Sequence, residues 1–294
     1  MLQILNEDGL FHLRNDRMSY VMKVLDGGIL MHLYLGGRLE SCDASPWLAH
    51  AGVRPGQSFT VQNCGLDMLP QELPQYGLGD FRRGALTVRR SDGTRTCDLR
   101  FVGSRVVPGK PALEGLPATF GDTCQTLVLT LRDEALSLAC ELRYTIFEDC
   151  DVIARSMTLT NESVEPLTLE RAMSLCLDLP DSGWDLITLS GAWARERSVI
   201  HRALVPGEQG VYSLRGASSA QASPFMALVR PETTEASGEA IGTALVWSGS
   251  FHAGVEVDSN SNARVLLGLH DDHFSWKLEP GASFTVPEAV TCWS

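Results

Sequence analysis

The stretch LPQELPQYGLGDFR (residues 69–82) sets two carboxylates, Glu72 and Asp80, and a guanidinium, Arg82, around Tyr76 on a segment broken by proline and glycine. Paired carboxylates are the equipment of glycoside hydrolysis. One protonates the leaving oxygen and the other acts as base or nucleophile, about 5–10 Å away. The competing reading is structural: Asp80 and Arg82, two positions apart, pair across a turn and brace the loop.

A second constellation is GAWARER (residues 191–197). Gly191 and Ala192 leave room beside Trp193, and Arg195, Glu196 and Arg197 follow. An exposed indole among charges suits the apolar C–H face of a pyranose. A core tryptophan backed by a charged strand fits the same letters. Trp184, upstream in DSGWDLITL, follows Gly183 and reads as a surface aromatic on a turn. RGASSAQASPF (residues 215–225) offers Ser218 and Ser219, but a serine nucleophile needs a histidine base with an orienting acid. No G-x-S-x-G elbow is present. HDDHF (residues 270–274) is too short for its polar side chains to converge on one ion, so a solvated turn is expected. Neither a metal nor a cofactor is expected.

The elements that must position these residues read as strands. In LSLACELRYTI, Leu136, Leu138, Cys140, Leu142, Tyr144 and Ile146 share one face, and Ser137, Glu141, Arg143 and Thr145 share the other. PLTLERAMSLCLDLP repeats the pattern through Leu167, Leu169, Met173, Leu175, Leu177 and Leu179, with Arg171 interrupting. The interruption places Arg171 at a rim or in a buried pair. Ser91-Asp92-Gly93 lies between two β-like arms as a hairpin turn, and Asn161-Glu162-Ser163 and Pro280-Gly281 mark further turns. Residues 186–197 leave space for a short helical piece without keeping a 3.6 period. RPETTEASGE (residues 230–239) reads as an exposed hairpin end. These signs predict an all-β fold, mostly antiparallel, with two large packed sheets and little helix.

At 294 residues and 44% hydrophobic content, the chain has ample material for a core. A net charge of −12 without a basic cluster excludes nucleic acid as a partner. No apolar run reaches the roughly 20 residues of a membrane helix, and the N-terminus lacks the pattern of a signal peptide. Eight scattered cysteines without a C-x-x-C pair suggest a reducing, cytoplasmic setting.

Six blocks in order carry a family resemblance: MLPQELPQYGLGDFR, GKPALEGLPATF, LRYTIFEDCDVIARS, GAWARER, RGASSAQASPF and WKLEPGASFTVPEAV. Over nearly its whole length the chain resembles the N-terminal domain of the bacterial α-galactosidases of glycoside hydrolase family 36. The resemblance implies a β-supersandwich similar to galactose mutarotases, with residues 1–294 as one N-terminal domain. It implies a catalytic (β/α)8 barrel beyond residue 294, which would hold both catalytic aspartates and leave none here. The family's nucleophile lies in a Lys-Trp-Asp motif, whereas the one Trp-Asp here, Trp184-Asp185, follows Gly183.

By the same resemblance the partners are that barrel, neighbouring subunits of a homo-oligomer such as a tetramer, and α-galactosides of the melibiose and raffinose type. Trp184, Trp193 and Arg195 would be substrate contacts. Glu72, Tyr76, Asp80 and Arg82 would be loop or interface residues. The chain also departs from the family. Ala49 or His50 and Gln62 stand where members carry Asp and Arg, Ser218-Ser219-Ala220-Gln221 replaces Ser-Ser-His-Gln, and WSGSF (residues 247–251) replaces YSGNF. A stand-alone carbohydrate-binding module is the alternative function. A mutarotase-like epimerase is a further one; it needs a histidine acid and a carboxylate base in one cleft, and no histidine motif announces them.

Overall fold

The computed structural model describes residues 2–50, 60–61 and 64–294. Two antiparallel sheets dominate it. The larger has ten strands. Its edge-to-edge order is Arg195–Ala203, Asp185–Ala192, Ala222–Val229, Ala240–Leu245, Ala289–Trp293, Val152–Asn161, Leu138–Phe147, Cys124–Asp133 and Arg100–Pro108. Ser283–Thr285 adds to Val152–Asn161. The smaller has six strands, ordered Gly207–Ser213, Phe251–Val257, Ala263–Leu269, Leu167–Leu179 and Trp276–Leu278, with Leu86–Arg89 also on Leu167–Leu179. Four N-terminal strands, Gln3–Glu7, Leu10–Arg14, Met18–Val24 and Leu30–Gly37, form a third sheet.

One apolar core joins all three sheets. It runs from Phe11, Leu13 and Tyr20 through Leu129, Leu142 and Tyr144 to Leu175, Leu177, Val255 and Val265. The alternation of Leu138–Phe147 is what sends its even positions inward, because successive side chains leave opposite faces of a strand. Leu167–Leu179 is buried on both faces from Ala172 onward. Arg171 sits where that strand shifts register, and it pairs with Asp271.

Two sequence expectations are corrected. The Ser91-Asp92-Gly93 turn forms, with Gly93 N donating to Arg90 O and Arg90 N donating to Thr94 O, but no strand ladder extends the pairing further. Leu86–Arg89 joins the smaller sheet and Arg100–Pro108 the larger, so the turn carries the chain between layers. Residues 186–197 hold no helix. They belong to the hairpin Asp185–Ala192 with Arg195–Ala203, whose ladder satisfies the backbone that a helix would have bonded internally.

The turns at residues 161–163 and 280–281 interlock. Gly281 N donates to Asn161 O at 2.7 Å and Asn161 Nδ2 donates to Leu278 O at 2.9 Å. Residues 230–239 form the exposed connection between Ala222–Val229 and Ala240–Leu245. Among the described residues, no helix is long and apolar enough to cross a membrane.

Candidate functional site

The loop of residues 69–82 is pinned by two buried charge networks, one reaching the N-terminal and larger sheets and the other the smaller sheet. Glu72 is 0% exposed. Its carboxylate accepts hydrogen bonds from Tyr20 Oη at 2.7 Å and Tyr144 Oη at 2.7 Å, and lies 2.8 Å from His32 Nδ1. Burial alone would raise its pKa, but His32, Arg155 and Tyr144 outweigh burial and hold it below the ordinary value. Arg155 donates to the Glu72 main-chain oxygen at 2.5 Å and to Cys176 O at 3.0 Å.

Asp80 belongs to the second network. It accepts from Arg82 Nε and Nη2, each at 2.9 Å, and from Gln71 Nε2 at 2.7 Å, and it pairs with Arg264 at 2.9 Å. Asp178 takes both Arg264 Nε and Nη2 at 2.7 Å. Burial would raise Asp178, but Arg264 and Arg82 hold it down. Arg82 also reaches Leu66 O and Leu69 O. Asp80 and Arg82 therefore brace the loop, and Glu72 and Asp80 are not brought together in an open cleft. Tyr76 is exposed on the loop's outer side.

The GAWARER segment is the tip of the hairpin at one edge of the larger sheet. Trp193 is 88% exposed there, which answers the choice between exposed and core tryptophan. Ala194 and Arg197 take positive φ to turn the tip, and Ala194 N donates to Glu196 Oε1 at 2.9 Å. Every residue of Arg195–Ala203 is exposed, Val199 and Ile200 included. Glu196, Arg197, Ser218 and Ser219 line a cavity of about 420 Å³ beside the tip. Among departures from the family pattern, Gln62 and the side chain of His50 lie outside the described residues, and Ala49 is exposed on the helix Ser45–His50.

Trp184 is corrected from surface to core: it is 4% exposed. The glycine turn ends one residue earlier, and Trp184, Leu186 and Thr188 share the inward phase of the strand. The Arg230 guanidinium caps the ring at 3.6 Å from its centroid, held by Asp181 at 2.7 Å and Glu239 at 3.0 Å.

HDDHF is not a solvated turn throughout. Asp271 is gripped by Arg83 at 3.0 Å and by Arg171. Burial would raise its pKa, yet the two guanidiniums bring it to about 2. His270 is lowered by burial and by neighbouring His252. Only Asp272 and His273 face water. Arg83 reaches onward to Glu208, and His252 Nε2 lies 2.9 Å from Glu208 Oε1. His252 and Arg83 hold Glu208 at about 2.

Arg83, Glu208, His252, His270 and Asp272 line a cavity of about 400 Å³ that sequence reasoning missed. Alternation does place His252, Gly254 and Glu256 on one face of FHAGVEV and Glu208, Gly210 and Tyr212 on one face of GEQGVYS. Only the strand pairing makes them neighbours. Next to it runs an apolar groove of about 550 Å³ walled by Leu116, Trp247, Phe274, Trp276 and Phe284. Among the described residues, no three His, Cys, Asp or Glu side chains are arranged to hold a metal ion.

The architecture defines an antiparallel β-sandwich whose loop carboxylates are consumed in its own framework. The chain belongs to the glycosyl hydrolase family 36 N-terminal domain family, whose model matches residues 28–279. The α-galactosidase AgaA of Geobacillus stearothermophilus is 41% identical over 97% of this chain and 40% of its own length. Mel36A of Lactobacillus acidophilus is 37% identical over 98% of this chain and 40% of its own. The crystal structure of AgaA in complex with raffinose superposes with a TM-score of 0.93, at 40% identity, over 97% of this chain and 40% of that one. The α-galactosidase of Lactobacillus brevis gives 0.95 at 38% identity, over 99% and 40%. This chain thus spans about 40% of the length of these relatives.

Proposed function

We propose that the chain is the non-catalytic N-terminal domain of a cytoplasmic α-galactosidase, acting with a (β/α)8 barrel that carries the catalytic aspartates. The observation that carries this reading is the fate of the loop acids. Glu72 and Asp80 have their oxygens committed to buried donors, so neither offers the accessible lone pair or labile proton that hydrolysis needs. Similarity to α-galactosidases along the whole chain, over about 40% of theirs, supports the division of labour. Eight scattered cysteines without a C-x-x-C pair agree with a reducing compartment.

The domain has three tasks in this reading. The apolar groove of Trp276, Phe284 and Leu116 packs on the barrel. The exposed edge strand Arg195–Ala203 meets a neighbouring subunit. Trp193 and Arg195, standing out from the edge hairpin, contact the α-galactoside in that subunit's pocket. Trp184, sealed under Arg230, has no part in it.

The test is an assay of this chain with a nitrophenyl α-galactoside. No turnover is expected. Turnover that copurifies with the chain and disappears in Glu72→Gln or Asp80→Asn would overturn the proposal. As the positive arm, the chain replaces the corresponding segment of AgaA. Activity is expected to persist in that chimera, and Trp193→Ala is expected to raise KM with little change in kcat.

The epimerase reading gains a histidine–carboxylate pair in one cleft, but Glu208, held at about 2 by His252 and Arg83, is a poor proton acceptor near neutrality.

A further inference from the structure

We propose that the cleft framed by Arg83, Glu208, Tyr212, His252 and His270 binds one pyranose ring of a neutral sugar. Nothing in this site depends on the α-galactosidase reading, because every group in it belongs to this chain. Its volume, about 400 Å³, is in the range of small-ligand sites.

The floor is bare backbone. Gly210 and Gly254 face each other across neighbouring strands. A Cβ on Gly254 would come within 2.7 Å of His252 Nε2 and 3.0 Å of Glu208 Oε1, and one on Gly210 would strike the Ala253 carbonyl oxygen. A side chain at Gly254 would push on His252 and Glu208, and one at Gly210 on the neighbouring strand, so both positions take glycine and leave the lining side chains where they stand.

The walls are set in advance. Arg83 bridges Glu208 and Asp271, Arg171 backs Asp271, and His252 leans on Glu208. Side chains already held in place lose little freedom when a ligand arrives.

The chemistry of the lining selects the ligand. Arg83, His252 and His270 bring ring and guanidinium nitrogens, and Glu208 and Asp272 bring carboxylate oxygens. A hydroxyl donates and accepts at once, and a ring bearing several of them matches such a mixed set. An anion would meet two carboxylates, and a cation would meet Arg83. Tyr212, 60% exposed, stands at the mouth with its ring 5.3 Å from that of His270. It offers the apolar face on which the C–H side of a pyranose stacks.

Calorimetric titration of the 294-residue chain with galactose, glucose and melibiose, alongside inorganic phosphate, tests the site. Tyr212→Ala and Asp272→Asn change exposed positions and should leave the melting temperature in place. Gly254→Ala, which narrows the floor, is the third variant. The expected result is binding of a neutral sugar with Kd in the millimolar range or tighter, weakened about tenfold in each variant and unchanged in Trp193→Ala. Absence of heat with all three sugars would overturn the proposal. So would preference for phosphate, or sugar binding that Trp193→Ala abolishes while the cleft variants retain it. Loss of the α-galactosidase reading would appear in the activity assays and leave this titration untouched.

Discussion

A carboxylate with no solvent exposure persists as an ion only when its charge is met. Glu72 meets it with two phenols, a histidine and the nearby Arg155. Replacing it by glutamine turns an amide NH2 toward groups that all donate. Glu72→Gln is expected to cost about 3–5 kcal/mol, read as a lower urea midpoint with unchanged slope. Acid should act through the same kind of residue. Glu72, Asp178 and Asp271 all have folded pKa values below their unfolded ones. Their stabilisation is complete above the ordinary carboxylate range and is lost as pH falls through the folded values. For Asp271, from 3.8 to about 2, the share is about 2 kcal/mol. Melting temperature should hold from neutrality to about pH 5 and then drop toward pH 2. Asp271→Asn should start lower and fall less steeply; a parallel curve would rule out the assignment. Glu72 was visible in the sequence only as a loop acid. Its partners lie 40 to 83 positions away, beyond the reach of any local pattern.

At the scale of elements, the edge hairpin separates two tryptophans nine positions apart. Trp184 enters the core with Leu186 and Thr188, and Trp193 leaves the sheet at the tip. Trp184→Ala is expected to cost about 3–5 kcal/mol, since it opens a cavity under Arg230. Trp193→Ala should stay within about 0.5 kcal/mol of the parent chain, because little of that ring is buried. Thermal melts of the two variants side by side check both. The inward phase W-x-L-x-T is legible in DSGWDLITL, although Gly183 beside it carries the mark of a turn. The glycine belongs to the turn, and the tryptophan already belongs to the strand.

For the molecule as a whole, the larger sheet ends in an edge strand that leaves Val199 and Ile200 in water. An edge with free backbone groups and apolar side chains invites pairing. In the proposed oligomer that edge is covered. Val199→Lys is expected to reduce self-association in sedimentation velocity while leaving the melting temperature within a degree or two of the parent. Equal association of variant and parent would place the subunit contact elsewhere.

The sequence alone determined that strands dominate, where many of their turns fall, and which positions of residues 136–146 face the core. Period-two alternation is a local property, and a half-buried sheet writes it directly into the chain. Six ordered blocks likewise announced the family. Tertiary structure decided which strands are neighbours and which acids are spent. It confined the hairpin expected at Asp92-Gly93 to its turn by sending the arms beyond it to different sheets. It closed Asp80 and Arg82 into a cluster with Asp178 and Arg264, and it brought His252, Glu208 and Arg83 to one cleft. Each depends on contacts between residues far apart in the chain. Such contacts are selected by the burial of one shared core and by the need to pair every buried charge, and neither leaves a spacing that can be read along the sequence.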